Sequence, residues 1–369
     1  MRSRRLRWVI RGVLGWCLVI SLTGCWDQRP VETRAAVAAL GIDPGAQPGD
    51  YRFTVVFPNV TTTATSIAST PTNQEYFHYT VSAPNLPDAL AAIQRQQSRA
   101  LYLGQIRLVA ISTRLPTTVW RRLVQSTVQS GRMVLTFVVV GTPQAEALVT
   151  LAPPSEVVPE LALYRTLTCQ CQPFRITGRA WHLWVQMETP GMTPVVPQVE
   201  RHADHYVLHG LTLLTPGRPV VWSPLDTWGW AYATGHVHEG LVTVHVQDDP
   251  VTVGRIHGHA VITFHVLGEH IVVDDHLQYT GQLVAGGDAL GNPLATDRAV
   301  ERAAALHVLA QVEHAVHQAQ ATGSDPFGWH RDLLWTDSTV SARSLGESWR
   351  HWQVRVTVQF LLHNEGVLR

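Results

Sequence analysis

Lysine is absent from this sequence of 369 residues, so all 28 basic residues are arginine. Chemistry that needs a lysine amine, as a Schiff base or as a general base, is therefore excluded. Common catalytic signatures are missing too: the chain has no Gly-x-Ser-x-Gly elbow, no Walker loop, no Gly-x-Gly-x-x-Gly turn after a strand and no His-Glu-x-x-His helix. We therefore expect that the protein is not an enzyme and that it has no catalytic residue and no cofactor.

Cysteine is scarce, with four residues in the chain. Cys17 falls in a segment that we expect to be removed, and Cys25 is the expected site of lipid attachment, which leaves Cys169 and Cys171 for the fold. A disulfide framework is excluded, because one pair of thiols cannot build one, and a bond between neighbours this close would close a small strained ring. We expect free or loosely paired loop cysteines.

The N-terminal segment has the parts of a lipoprotein export signal. Five arginines precede a short apolar run over residues 12–22, which is too short to span a membrane. Leu22, Thr23 and Gly24 then precede Cys25, an arrangement that suits lipoprotein processing, because the thiol must be free to accept diacylglycerol. We predict a signal peptide over residues 1–24 and lipidation of Cys25.

The rest of the chain offers no second membrane anchor. No later segment approaches the roughly 20 uninterrupted apolar residues of a membrane-spanning helix, whereas two acyl chains anchor stably at about 0.8 kcal/mol per buried methylene. Cleavage removes five of the 28 basic residues and none of the 28 acidic ones, so the formal net charge becomes −5. We expect a protein held at the outer membrane face, with no nucleic acid partner.

The predicted fold class is α+β, with mixed sheets, packed helices and about three subdomains. An N-terminal α/β domain is expected over residues 25–195, because strand and helix patterns alternate there. Residues 189–204 contain three prolines and a glycine, and they are interpreted as an inter-domain crossing. The predicted strands are 37–42, 51–58, 76–82, 106–111 and 133–141, and the predicted helices are 85–97, 117–130, 143–151 and 155–167.

A C-terminal α+β domain is expected over residues 205–369, and a division of it into two subdomains is left open. Residues 255–266 alternate between apolar even positions and polar odd ones, which predicts a strand with one buried face. A long amphipathic helix is predicted over 297–321 and a closing strand over 352–362. The acidic pairs Asp248-Asp249 and Asp274-Asp275 are expected at solvated hairpin ends.

Nineteen histidines raise the possibility of a metal site. Three pairs place two imidazoles on one side of an element, namely His257 with His259, His236 with His238, and His314 with His317. Glu239 and Glu313 are the only third ligands in view, so a solvated surface is the preferred interpretation and no metal site is predicted. A tethered metalloenzyme is kept as a third hypothesis.

Several motifs, in order along the chain, resemble one family. They are GCWDQRPVE with Trp26 and Asp27, ALGIDPG with Gly41, Ile42 and Asp43, the segment from YTVSAPN to GQIRLVAIS with Tyr102 and Gly104, GLTLLTPGRPVVWSPLDTWGWAYATGHV, and AQATGSDPFGWHRDLLW with Phe327 and Gly328. This order is similar to that of the C subunits of spore germinant receptors, the Ger(x)C lipoproteins of endospore-forming bacteria. Gln28, Pro30 and Gln105 depart from the family pattern.

The resemblance implies a non-catalytic lipoprotein subunit of a nutrient germinant receptor. It would lie on the outer face of the cell or spore inner membrane beside integral-membrane subunits, one transporter-like and one larger membrane protein, and act through protein contacts. The alternative is a solute-binding lipoprotein of a transporter, which would have two similar α/β lobes around a cleft.

Overall fold

The computed structural model describes residues 16, 30, 33–58, 76–151, 159–169, 172–173, 176, 178–268, 270–286, 293–337, 340 and 348–363. Two large sheets with packed helices form the body, so the predicted α+β class is confirmed. No helix in these described ranges is long and apolar enough to cross a membrane.

The first large sheet has eight strands in the order β10-β9-β8-β7-β6-β2-β3-β4, and β1 pairs with β5 in a separate two-stranded sheet. Its elements are β1 (Arg34–Ala36), β2 (Ala39–Pro44), β3 (Tyr51–Pro58), β4 (Tyr76–Ala83), α1 (Leu86–Gln94), β5 (Ala100–Tyr102), β6 (Leu108–Ser112), α2 (Thr117–Ser130), β7 (Val138–Thr142), α3 (Ala145–Val149), α4 (Pro159–Thr168), α5 (Ala180–Glu188), β8 (Val195–His202), β9 (His205–Leu213) and β10 (Val220–Trp222).

The middle of this sheet is covered on both faces. Strands β2, β6 and β7 run parallel, and every residue of β6 and β7 is buried. Helices α2 and α5 pack on one face, and α3 and α4 pack on the other. Because parallel strands between two helical layers have no wet side, their sequences are continuous apolar runs and not alternating ones.

Several predicted elements agree closely with the structure. Strand β3 and helix α2 have the predicted bounds, and α1 begins after Asn85, whose side chain accepts a hydrogen bond from the Asp88 backbone N–H. The predicted strand over 133–141 is shorter, because β7 starts at Val138. Met133 and Phe137 are buried without being strand residues, so an apolar run was mistaken for a longer strand.

The segment over 189–204, which was interpreted as an inter-domain crossing, contains a strand. Residues 195–202 form β8, which pairs with β7 and β9, and β9 and β10 extend the same sheet to Trp222. The first sheet therefore continues beyond the predicted crossing.

The second sheet has four strands in the order β11-β12-β13-β14. As predicted, the even positions of residues 256–266 face inward and the odd positions face solvent. Helices α6 and α7 cover the inner face, and the predicted stripe of α7 from Val300 to Ala319 is buried. The elements are α6 (Pro224–Ala233), β11 (Gly240–Val246), β12 (Asp249–Leu267), β13 (His270–Ala285), α7 (Pro293–Thr322), α8 (Trp329–Thr336) and β14 (Gln353–Leu362).

The two sheets share one apolar core. It runs from Leu211, Leu213 and Trp222 of the first sheet through Trp230 of α6 to the inner face of the second. These two sheets differ in strand number, order and helical cover, and so do not resemble the paired lobes of the solute-binding alternative.

Two expectations about single residues are wrong. The sulfur of Cys169 is in a disulfide, and is not a free or loosely paired thiol. Asp275 is fully buried within β13, whereas a solvated hairpin end was expected. The preceding residue, Asp274, is partly exposed, because adjacent residues of one strand point to opposite faces of the sheet.

Helices α6 and α7 approach each other closely at Gly229. A Cβ built on Gly229 would overlap the carbonyl oxygen of Gln311 and would lie 2.6 Å from the Cβ of Ala315. The backbone of α7 therefore occupies the space that any side chain at this position would need.

We predict that Gly229→Ala lowers the free energy of unfolding by about 1–3 kcal/mol, because the added methyl group forces the two helices apart. Urea unfolding followed by circular dichroism measures this. Leu225→Ala, at a side chain of α6 that is 45% exposed, is the control and should change stability by less than about 1 kcal/mol. Unchanged stability of Gly229→Ala would contradict the close packing.

Candidate functional site

The predicted anchor residues lie outside the described residues. This applies to Leu22, Thr23, Gly24, Cys25, Trp26 and Asp27, so their roles stay predictions. The other motif residues are all described, and they lie at three separate places: Gly41, Ile42 and Asp43 in β2, Tyr102 and Gly104 at the end of β5, and Phe327 and Gly328 before α8.

Asp43 caps helix α3 across a large sequence distance. Its Oδ1 accepts a hydrogen bond from the Ala145 N–H at 2.9 Å, and its Oδ2 accepts one from the Glu146 N–H at 2.8 Å. These donors have no partner within the helix, and a negative charge is favourable there. Gly41 allows the close approach, since a Cβ on it would lie 3.0 Å from Cγ2 of Val149. Ile42 packs in the core on the opposite face.

A polar crevice of about 360 Å³ opens beside this cap. In it, Nη2 of Arg52 lies 2.6 Å from Oε2 of Glu146, and the Thr80 hydroxyl donates to Oε1 of Glu146 at 3.1 Å. The Arg114 Nε donates to the carbonyl oxygen of Pro143 at 3.0 Å. We call this the carboxyl-end crevice, and its lining is Asp43, Pro44, Arg52, Arg114, Gln144, Glu146 and Ala147.

Tyr102 and Gly104 belong to the corner where the described part of the chain enters the fold. Strand β1 pairs in parallel with β5, and the guanidinium carbon of Arg34 lies 4.8 Å from the centre of the Tyr102 ring. The Tyr102 ring also lies over Gly104, because a Cβ there would be 2.6 Å from the Tyr102 Cζ. Gly104 therefore leaves room for the ring, and we call this place the entry corner.

An apolar groove of about 470 Å³ lies beside the entry corner. Gln94 connects the two, because its side chain donates to the Arg99 carbonyl at 2.9 Å and accepts from the Leu101 N–H at 2.8 Å. The groove is lined by the side chains of α1, β5 and the end of α2, including Leu86, Leu90, Leu101, Leu103 and Met133, with Gln94, Ser126, Ser130 and Arg132 as polar members.

Phe327 and Gly328 belong to a loop built around a buried carboxylate. Oδ1 of Asp325 accepts from the N–H groups of Phe327 and Gly328 at 3.1 and 3.0 Å, and Oδ2 accepts from that of His330 at 2.7 Å. Gly328 has a φ of +81°, which favours glycine. Thr193 is bound at the same place, since its hydroxyl accepts from the Asp325 N–H at 2.8 Å.

Aromatic rings surround this loop. Phe327 stacks on Trp329 with ring centres 4.5 Å apart, and His330 lies 5.1 Å from Trp349 and 4.8 Å from Trp352. Burial lowers the pKa of His330, while the Asp325 charge opposes this shift. The ring nitrogen Nδ1 of His330 lies 3.8 Å from Oδ2 of Asp325, too far for a hydrogen bond. His330 is therefore a buried histidine packed among tryptophan rings, and its lowered pKa favours the neutral form.

Histidines of the three candidate pairs contact other residues of the protein. His257 lies on the exposed face of the second sheet, where its ring nitrogens are 3.0 Å from the Arg255 carbonyl and 3.1 Å from the Thr280 hydroxyl. His314 lies 3.1 Å from an oxygen of Asp226. Across the described ranges, no three histidine, cysteine or acidic side chains gather as a metal site would require.

Asp275 has the burial and the raised pKa that often mark functional residues. The sequence interpretation missed this and placed it at a solvated hairpin end. Both of its carboxylate oxygens are buried without a hydrogen-bond partner, and burial raises its pKa to about 7. A signal was present, because Val273, Leu277 and Tyr279 share its alternate positions and face the core. The strand period places Asp275 on the same apolar face.

Comparison with known proteins identifies the class. The family domain described as "Spore germination protein N-terminal domain" matches residues 27–201, and "Spore germination B3/ GerAC like, C-terminal" matches residues 222–366. The chain belongs to this spore germination family, that of the germinant receptor C subunits, as the resemblance predicted.

Two relatives illustrate the match. "Spore germination protein KC" of Bacillus subtilis (strain 168) is 26% identical over 167 residues, which cover 44% of this chain and 41% of that protein. The match thus spans about two fifths of the relative's length. A crystal structure of the GerBC protein superposes with a TM-score of 0.57 at 11% identity, covering 88% of this chain and 97% of that one, and shows a shared fold.

We predict that Asp43→Ala lowers the free energy of unfolding by about 2 kcal/mol, because two N–H groups of α3 lose their acceptor. Asp43→Asn keeps one acceptor oxygen and should fall between the variant and the wild type. Urea unfolding measures the order. Asp50→Ala is the control, since Asp50 hydrogen-bonds through its backbone. Equal losses for Asp43→Ala and Asp50→Ala would disprove the capping role.

The raised pKa of Asp275 makes stability depend on pH. Below about pH 4 the carboxyl is protonated in both states; between about pH 4 and the folded pKa of about 7 it ionises only in the unfolded chain, which favours unfolding. Its contribution therefore falls as pH rises through this window, by roughly 4 kcal/mol at most, and is constant above it.

Asp275→Asn should therefore be more stable than the wild type at pH 8, with a difference that shrinks toward pH 4. Unfolding in urea at several pH values measures the difference. Asp274→Asn is the matched control, because Asp274 is partly exposed and lies 3.0 Å from His265, and it should bring no gain at pH 8. Parallel pH profiles for the wild type and Asp275→Asn would refute the argument.

Proposed function

We propose that the protein is a lipid-anchored, non-catalytic subunit of a nutrient germinant receptor, required for spore germination. It would act through contacts with integral-membrane receptor subunits, one transporter-like and one larger, at the outer face of the membrane. The observation that carries this is the continuity between the two signals: the lipoprotein motif ending at Cys25 runs directly into Trp26-Asp27, where the family match begins at residue 27.

The tether length supports an orientation for the body. Arg34, the first residue of β1, lies nine positions after Cys25, and an extended chain spans at most about 3.3–3.6 Å per residue. Arg34, which contacts the Tyr102 ring at the entry corner, would thus lie within about 30 Å of Cys25. Arg95, Arg99 and Arg132 are exposed, and Arg132 lines the apolar groove beside the entry corner. An arginine near an anionic lipid surface contributes about 1 kcal/mol.

The described ionisable groups support a role without catalysis. The carboxylates of Asp43 and Asp325 are occupied by backbone N–H groups, and His330 is enclosed by tryptophan rings. These groups stabilise the fold, and none combines a perturbed pKa with an open cleft, as a catalytic group would.

We predict that Cys25→Ala abolishes labelling by a fatty acid and moves the protein from the membrane fraction to the soluble fraction. The reason is that the acyl chains supply the anchoring free energy. Metabolic labelling followed by membrane flotation measures both effects. Cys17→Ala is the control, because this cysteine lies in the predicted signal peptide and should leave labelling and location unchanged.

An unlabelled Cys25→Ala protein that stays on membranes would show that partners hold it there, and not lipid. The receptor assignment has its own test, the capture of both integral-membrane subunits with the wild-type protein after mild detergent extraction of spores. Failure to capture either subunit would contradict the proposal.

A further inference from the structure

The carboxyl-end crevice lies where open α/β sheets bind ligands. It forms at the carboxyl ends of the parallel strands β2, β6 and β7, and its lining includes Pro44, the last residue of β2, with Arg114 and Gln144, which follow β6 and β7. Ligands bind such sheets at a switch point, where successive connections leave toward opposite faces.

The connections after β6 and β7 do leave toward opposite faces. Helix α2, which follows β6, packs its Trp120 in the core that contains Ile111 and Val139. Helix α3, which follows β7, packs its Leu148 in the other core, with Ala110. The crevice between the two connections is thus a consequence of the chain topology, and not a surface irregularity.

Arg114 is an exposed side chain that one hydrogen bond holds in this crevice. Its Nε donates to the Pro143 carbonyl at 3.0 Å, and the buried Ser112 hydroxyl donates to the same oxygen at 3.1 Å. The Thr113 N–H donates to the Thr142 carbonyl at 2.9 Å, which ties the two loops together. Among the described residues, nothing accepts a hydrogen bond from the two terminal nitrogens of Arg114, so their paired donors point away from its one contact.

The carboxylates of the crevice are engaged elsewhere. Asp43 is 5% exposed and accepts from two backbone N–H groups, and both oxygens of Glu146 are taken, by Arg52 and Thr80. Gln144 makes no capping hydrogen bond with its side chain, although it precedes α3. Within the described part of the chain, the crevice thus offers the Arg114 guanidinium and the Gln144 amide to a ligand.

We propose that the carboxyl-end crevice binds a small organic carboxylate. The carboxylate accepts two parallel hydrogen bonds from Arg114, the geometry in which a guanidinium is most selective. The Gln144 amide contacts a neighbouring polar group of the ligand. A volume of about 360 Å³ is at the small end of ligand pockets and suits a metabolite of a few carbon atoms. The proposal does not depend on lipidation or on receptor assembly.

The experiment is calorimetric titration of the purified mature protein with four carboxylates, namely sodium acetate, sodium lactate, sodium succinate and alanine. Lactamide is the uncharged match for lactate. We expect saturable binding of at least one carboxylate and none of lactamide. Arg114→Gln should weaken that binding about tenfold or more, since charge-assisted, paired hydrogen bonds are lost. Arg114→Lys keeps the charge but not the paired donors, and should recover only part of the affinity.

Arg122→Gln is the matched control, because Arg122 is an exposed arginine of the neighbouring helix α2 and does not line the crevice. It should bind like the wild type. Equal weakening by Arg114→Gln and Arg122→Gln would indicate a general charge effect and overturn the proposal. The proposal would also be overturned if none of the four carboxylates bound saturably, or if lactamide bound as tightly as lactate.

Discussion

The buried carboxylate of Asp325 holds the place where the two sheets of this protein meet. It accepts hydrogen bonds from three backbone N–H groups of its own loop, while the backbone of the same residue is bound to Thr193, just before β8. Breaking this loop would leave a carboxyl group and three N–H donors without partners in a buried site, which is unfavourable. The aromatic packing around Phe327 and the position of α8 depend on it.

Three buried aspartates show how the surroundings decide what one side chain does. Asp43 and Asp325 accept hydrogen bonds from backbone N–H groups, and each fixes the start of a short helix. Burial raises the pKa of Asp325, while the N–H groups of its own loop and His330 oppose the rise. Asp275 has no such donor, so its charge is disfavoured and its pKa rises to about 7. The first two carboxyl groups stabilise local structure through these hydrogen bonds, whereas the third reduces the stability of the fold where the unfolded chain ionises.

The sequence allowed the local elements to be predicted better than their long-range partners. The α2 helix and the β12 alternation follow from periodicity alone, which is a property of neighbouring residues. Strand β8 was missed because Pro197 breaks the expected pattern. Proline lacks an N–H, but β8 pairs with β7 through one residue pair only, so little is lost. The pairing of Asp43 with Ala145, across 102 residues, leaves no local trace.

Strand β2 connects the two places that matter most for the proposed functions. Its amino end lies beside the entry corner, because Val37 just before it donates to the Tyr102 carbonyl, and its carboxyl end carries Asp43 at the crevice. Six strand residues at about 3.3 Å each separate the two ends by about 20 Å. If the lipid holds the entry corner toward the membrane, the crevice opens at the opposite edge of the sheet. A small anion would then reach Arg114 from water, on the side away from the anionic lipid surface that would repel it.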